Sequence, residues 1–148
     1  LPPIWAVLAP PLGITTGSVA LICAAVYVTN GNKTGDAFKI TAGFLCGDLW
    51  AILAIWLMEK MPFNPEIELY ATLFVMGGLA VIIGETFSRF LFTPAWLCGW
   101  AIGLTIMGSL QLSEIGSLPI QIGAAMIAGV LYVGVGVDAF QKALLKKL

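Results

Sequence analysis

Asp48 is the residue of this chain best placed to do chemistry. It stands near the middle of the apolar run 37–58, with no basic residue within a helical turn on either side. A carboxylate there costs roughly 2.5–3.5 kcal/mol if that run crosses a bilayer, so the group has to be neutral, hydrated or paired. Two readings follow. A neutral Asp48 hydrogen-bonds a neighbouring helix or faces a water-filled cavity, or Asp48 serves a solute, a cation or a proton. Thr105 and Gln121 are the candidate donors. The other charges have local partners or lie at run ends: Glu85 with Arg89 and Asp138 with Lys142 are spaced i,i+4, and Asp36 and Lys39 are three apart.

A second set of polar groups stands at two helix starts. Thr15 and Thr16 follow a Pro-Pro-Leu-Gly break, and Thr93 precedes Pro94, an arrangement that suits an N-cap followed by proline in the first turn. These hydroxyls either cap their own helices or meet a polar solute. Trp50, Trp56, Trp96 and Trp100 are large enough to narrow a path, and equally suited to a bundle core or an interfacial belt. Gly43 with Gly47, and Gly99 with Gly103, put small residues on one face each and are expected to let helices approach closely.

Much other chemistry is excluded. The chain has no His, which removes the commonest metal ligand and rules out a Ser/His/Asp set. Cys23, Cys46 and Cys98 lie in apolar runs without metal or disulfide spacing, and read as small buried hydrophobes. No phosphate-cradling Gly loop and no pair of carboxylates at catalytic spacing is present. The expectation is a protein that is not an enzyme and binds no cofactor or metal.

The elements that must position these residues are membrane spans. Of 148 residues, 59% are hydrophobic and 10% charged, against roughly 25% charged in soluble domains. With about 20 residues per span, the sequence predicts an all-α polytopic membrane protein in a single domain, 1–148. Six spans are expected at 1–9 (partial), 13–29, 37–58, 67–87, 94–110 and 118–140. The first residue is Leu rather than Met, so residues lost ahead of it are expected to complete the opening span. No basic start or cleavage site marks a signal peptide.

Alternating the connections then places Lys33, Lys39, Arg89, Lys142, Lys146 and Lys147 on one side, and only Lys60, with Glu59, Glu66, Glu68 and Glu114, on the other. A Lys/Arg excess marks the cytoplasmic face, so the C-terminus is expected inside. That orientation also dismisses Asn32-Lys33-Thr34 as a glycosylation acceptor. The net charge of −1 offers no basic surface for nucleic acid.

The halves 1–60 and 67–140 repeat. Thr16, Ala24 and Gly31 match Thr93, Ala101 and Gly108 at a constant offset of 77, and after a five-residue insertion Gly47 and Trp50 match Gly129 and Tyr132. Three spans per half would invert the second copy, giving a 3+3 inverted repeat with broken helices.

The same segments carry a family resemblance. LGITTGSVALICAAVYVTNG and AFKITAGFLCGDLWAIL in the first half, then LFTPAWLCGWAIGLTIMG and SLPIQIGAAMIAGVLYVGVG in the second, resemble the small bacterial inner-membrane proteins grouped as domain-of-unknown-function family 1097. The resemblance implies a compact polytopic protein of the bacterial inner membrane and brings no catalytic residues with it. Asp48 departs from the apolar character usual at its position in that group.

The expected function is a channel or facilitator for a small polar solute, uncharged or weakly basic, such as a urea-like or ammonia-like molecule. One alternative is a transporter whose proton or cation coupling runs through Asp48. Another is a non-transporting subunit packed against larger membrane partners. The expected partners are the lipid bilayer and the solute, with a homo-oligomer left open and no nucleic acid.

Overall fold

Prolines and glycines set where the helices stop, and hydropathy decides which of them can sit in a membrane. A computed structural model describes residues 2–146; Leu1, Lys147 and Leu148 lie outside the described residues. Among the described residues there are helices and turns but no strand. The helices are α1 (Pro2–Leu8), α2 (Val19–Thr29), α3 (Ala37–Lys60), α4 (Pro65–Thr86), α5 (Thr93–Met107) and a last helix in three parts. That helix begins as α6 (Leu118–Ile127), widens into a π-helical stretch (Ala128–Val135) and ends as α7 (Gly136–Leu145).

Three helices are long and apolar enough to cross a membrane: Thr34–Lys60, Pro65–Thr86 and Leu118–Leu145. Val19–Thr29 and Thr93–Met107 are apolar but shorter. The span expected at 13–29 therefore starts late. Pro10–Leu12 forms a single 3-10 turn, Gly13 turns left-handed at φ 76°, and irregular backbone continues to Ser18. Only Ile14 of residues 13–18 is strongly apolar, Gly, Thr and Ser supplying the rest, so the strongly apolar run begins at Val19. The Trp5 indole ties α1 to that turn by donating to the Gly17 carbonyl at 2.9 Å. At the other end of the chain, the helix expected to finish near residue 140 runs on to Leu145.

Small residues govern the packing. Gly43 lies against Phe92 and Ala95, Gly47 against Trp96, Gly99 and Trp100, and Gly103 against Ala51. Rising numbers on α3 meet rising numbers on α5, so the two helices run parallel with their backbones nearly touching. The last helix packs on α2 in the same manner: Gly129 meets Ala20 and Cys23, and Gly134 meets the Tyr27 ring. This pair is also parallel, and its contact falls on the π-helical stretch. Helix α4 runs antiparallel beside α5, with Gly77 at Trp100 and Gly84 at Thr93. Its outer face is apolar and uncovered; Tyr70, Phe74 and Ile82 are 71%, 72% and 64% exposed. A soluble protein seldom leaves so large an apolar patch bare, and hydrocarbon covers it without penalty.

These registers put Lys33, Lys39, Arg89, Lys142 and Lys146 at one end of the bundle, and Lys60 with Glu59, Glu66, Glu68 and Glu114 at the other. Two expected ion pairs do not form. Helix α4 ends at Thr86, so Arg89 has left the helix whose turn would align it with Glu85, and it lies over the Phe90 ring instead. Asp36 accepts from the Asn30 amide at 3.0 Å rather than pairing with Lys39. The one ion pair among the described residues is Lys142 with Asp138, at 2.6 Å.

Candidate solute site

The small residues that join α3 to α5 also make room for a carboxyl group. Asp48 follows Gly47 on the face that α3 turns toward α5, and its side chain is directed into the bundle rather than toward lipid, with 5% exposed. A Cβ placed on Gly103 of α5 would stand 3.6 Å from Asp48 Oδ1, and one on Gly123 of α6 would stand 4.0 Å from Oδ2. The carboxyl therefore sits where three helices converge, and two of them offer glycine there. Oδ1 has no hydrogen-bond partner among the described residues.

The two donors expected for it are engaged elsewhere. Thr105 Oγ1 donates to the Ala101 carbonyl in its own helix at 2.7 Å, the usual back-bond of a mid-helix threonine. Gln121 Nε2 donates to Ser117 Oγ at 3.0 Å, while its Oε1 accepts from the backbone N–H and hydroxyl of Thr15 at 3.2 and 3.0 Å. Those bonds replace a helix start at residues 13–16, joining the turn after α1 to the start of α6. Beside them Thr16 is buried, and its hydroxyl is without a partner among the described residues.

Thr93 belongs to the opposite end of the bundle. It is the first residue of α5 rather than its cap, because Phe92 occupies the cap position and supplies no side-chain bond. Its hydroxyl donates to Glu85 Oε1 at 3.4 Å. No hydrogen bond links the Thr15–Thr16 group to Thr93 among the described residues.

Of the five tryptophans, Trp50, Trp96 and Trp100 gather around the α3–α4–α5 contact. Trp50 and Trp96 meet edge to face, with ring centroids 5.3 Å apart. The Trp50 indole donates to the Met76 carbonyl of α4 at 3.3 Å, and the Trp100 ring covers Gly77. Trp96 and Trp100 are buried, and neither indole N–H meets an acceptor among the described residues. Trp56 stands apart on the outer surface, 43% exposed.

The interior thus contains an acceptor, Asp48, and unpaired donors in Trp96, Trp100 and Thr72. Buried polar groups are ordinarily satisfied, and exceptions call for a cause such as a ligand or water. Sequence reasoning missed Gly123 and Thr72. Gly123 could have been sought as a small residue in the last span, whereas Thr72 carries no local signal at all. Cys23, Cys46 and Cys98 are free thiols.

No curated protein and no solved structure matches the chain. Residues 1–142 match the family described as protein of unknown function, DUF1097. That match takes in both helix pairs, the Asp48 junction and the polar ends of the bundle, and the chain belongs to the DUF1097 family.

Proposed function

We propose that this protein transports a small polar solute, uncharged or weakly basic, across the bacterial inner membrane, with its C-terminus in the cytoplasm and Asp48 in the solute path. One observation carries the reading: a carboxyl buried at a junction of three helices, flanked by Gly103 and Gly123, with Oδ1 left without a donor. An amine or amide N–H would supply what that oxygen lacks. The orientation rests on the basic end of the bundle.

An inverted repeat supports a path at this junction. Adding 77 to positions of α2 and subtracting 82 from those of the last helix turns the Gly129–Cys23 contact into the Gly47–Trp100 contact. Each half would then contribute one helix to each parallel pair. The corresponding helices α2 and α5 are both short, at 11 and 15 residues. They span ~16 and ~22 Å, against a hydrocarbon core of ~30 Å. Short or interrupted helices at matching positions of two halves are the usual sign of a solute site at mid-membrane.

A second reading, alternating access coupled to a proton or cation at Asp48, is favoured by how thoroughly the carboxyl is covered. A solute reaches a group with 5% exposure only when helices part. Uptake into proteoliposomes of urea, methylamine and ammonia separates the cases. Wild-type protein should pass at least one of them faster than protein-free liposomes. Asp48→Leu should cut that flux about tenfold, the weight of one hydrogen bond to a charged group. Asp48→Asn should alter flux modestly in a facilitator, and should abolish its pH dependence in a coupled transporter. Flux unchanged in Asp48→Leu removes Asp48 from the path. Failure of every solute tested leaves the reading of a non-transporting subunit.

A further inference from the structure

At the basic end of the bundle, α2 and the last helix leave a groove of about 330 Å³ between them. One stretch of it is apolar, walled by Leu21, Ala25, Val28 and Val137, and the other ends at Asn32, Asp138 and Gln141. Asp138 is 8% exposed, and its only ion-pair partner among the described residues is Lys142, whose side chain is 65% exposed. Asn32 is held at φ 55°, with its N–H donating to the Tyr27 carbonyl at 3.4 Å. Its Oδ1 is buried and accepts nothing among the described residues, and the buried Tyr27 hydroxyl nearby also lacks a partner.

We propose that this groove holds one phospholipid with a primary-ammonium headgroup, its ammonium on Asp138 and the Asn32 amide oxygen and one acyl chain along the apolar wall. The reading rests on the chain being embedded in a bilayer and is independent of any role for Asp48. Charge decides the headgroup. The polar end offers one anionic oxygen pair and one unsatisfied amide oxygen, which call for a cation able to donate several hydrogen bonds. A primary ammonium has three N–H donors, and a quaternary ammonium has none. Lys142 reaches Asp138 from the exposed side, so as the ammonium takes its place it turns to the phosphate two carbons away. The apolar wall decides between a lipid and a soluble amine, since only the lipid has a chain to lay against Leu21, Ala25 and Val28.

The test uses the full chain in nanodiscs of mixed phosphatidylethanolamine and phosphatidylcholine, with lipids retained after detergent extraction read by native mass spectrometry. Wild-type protein should retain phosphatidylethanolamine over phosphatidylcholine by about tenfold, the worth of a charge-assisted hydrogen bond. Asp138→Asn should lose most of that preference. Asn32→Gly, which accommodates the left-handed backbone while deleting the amide, should lose it as well, and it decides the matter if Asp138→Asn does not fold. Equal retention of the two lipids overturns the proposal, and so does an unchanged preference in Asn32→Gly. Displacement of the retained lipid by free phosphoethanolamine would also overturn it, by showing a site for a soluble ligand.

Discussion

Substituting Gly47 by Ala tests the contact on which the bundle is built. The added Cβ would stand 2.6 Å from the Trp100 backbone nitrogen and 2.8 Å from the Gly99 carbonyl carbon. Carbon atoms in contact prefer roughly 3.5–4.0 Å, so α3 and α5 must separate by about 1 Å. Both obstacles are backbone, and no side chain can swing aside. Overpacking of this kind costs about 1–3 kcal/mol, and a contact blocked by backbone falls in the upper half of that range. Gly78→Ala is the control within the same protein. Gly78 lies on α4 with nothing within 4 Å of its prospective Cβ, so the same methyl meets no obstacle there.

Unfolded membrane helices remain helical, which makes the propensity gain of alanine small at both positions, and the contrast between the variants isolates packing. A difference of about 2 kcal/mol corresponds to roughly a thirtyfold change in the unfolding equilibrium. Steric trapping or SDS titration of the purified protein in bicelles measures it directly. Gly99→Ala supplies a second arm, because its Cβ would stand 3.1 Å from Phe44 Cα across the same seam. The double variant should lose less than the sum of the single losses, since the first methyl already forces the helices apart. Equal stability of Gly47→Ala and Gly78→Ala would show that α3 and α5 do not meet backbone to backbone, and the geometry drawn around Asp48 would go with it.

Two further perturbations address the membrane itself. In a cysteine-free background, Glu66→Cys and Glu114→Cys should react with an impermeant thiol reagent added to intact cells and Lys146→Cys should not; the opposite pattern reverses the orientation. Phe74→Arg, on the uncovered face of α4, should lower insertion of that span by roughly 2.5–3.5 kcal/mol. Glycosylation reporters read that loss, and undiminished insertion would place Phe74 away from lipid.

The parts of this structure legible in the sequence are those where one residue breaks a composition. Asp48 was visible because it is a lone acid in an apolar run, and the four seam glycines because their spacing keeps them on one helix face. The long spans were visible for the same reason, as uninterrupted hydropathy bounded by Pro62, Pro65 and the charged ends. What stayed hidden depends on contrast that a membrane chain lacks. The turn at residues 13–18 is only half hidden: Gly13, Thr15, Thr16, Gly17 and Ser18 favour a loop, but α2 is apolar on every face and has no periodicity to mark where it starts. The π-helical stretch is hidden likewise, because Ala128–Val135 would suit an ordinary α-helix, and its close packing on α2, Gly129 against Ala20 and Gly134 against Tyr27, joins residues far apart in sequence.

Polar partners are hidden for a different reason. Thr105 and Gln121 are suitable donors for Asp48 by chemistry, yet Thr105 donates within its helix and Gln121 donates to Ser117 while accepting from Thr15, because a hydroxyl or amide takes the nearest acceptor the packing presents. Spacing along one helix misleads in the same way. Glu85 and Arg89 are four apart in sequence, but the helix ends between them, whereas Asp138 and Lys142 have the same spacing on an unbroken helix and do pair. The i,i+4 rule therefore predicts a contact only after the helix boundary is known, and in a chain this apolar the boundary is the feature that hydropathy defines least well. The unsatisfied groups carry the functional argument because they survive that process: after local bonding has claimed Thr105 and Gln121, Asp48 Oδ1 still remains open inside the bundle.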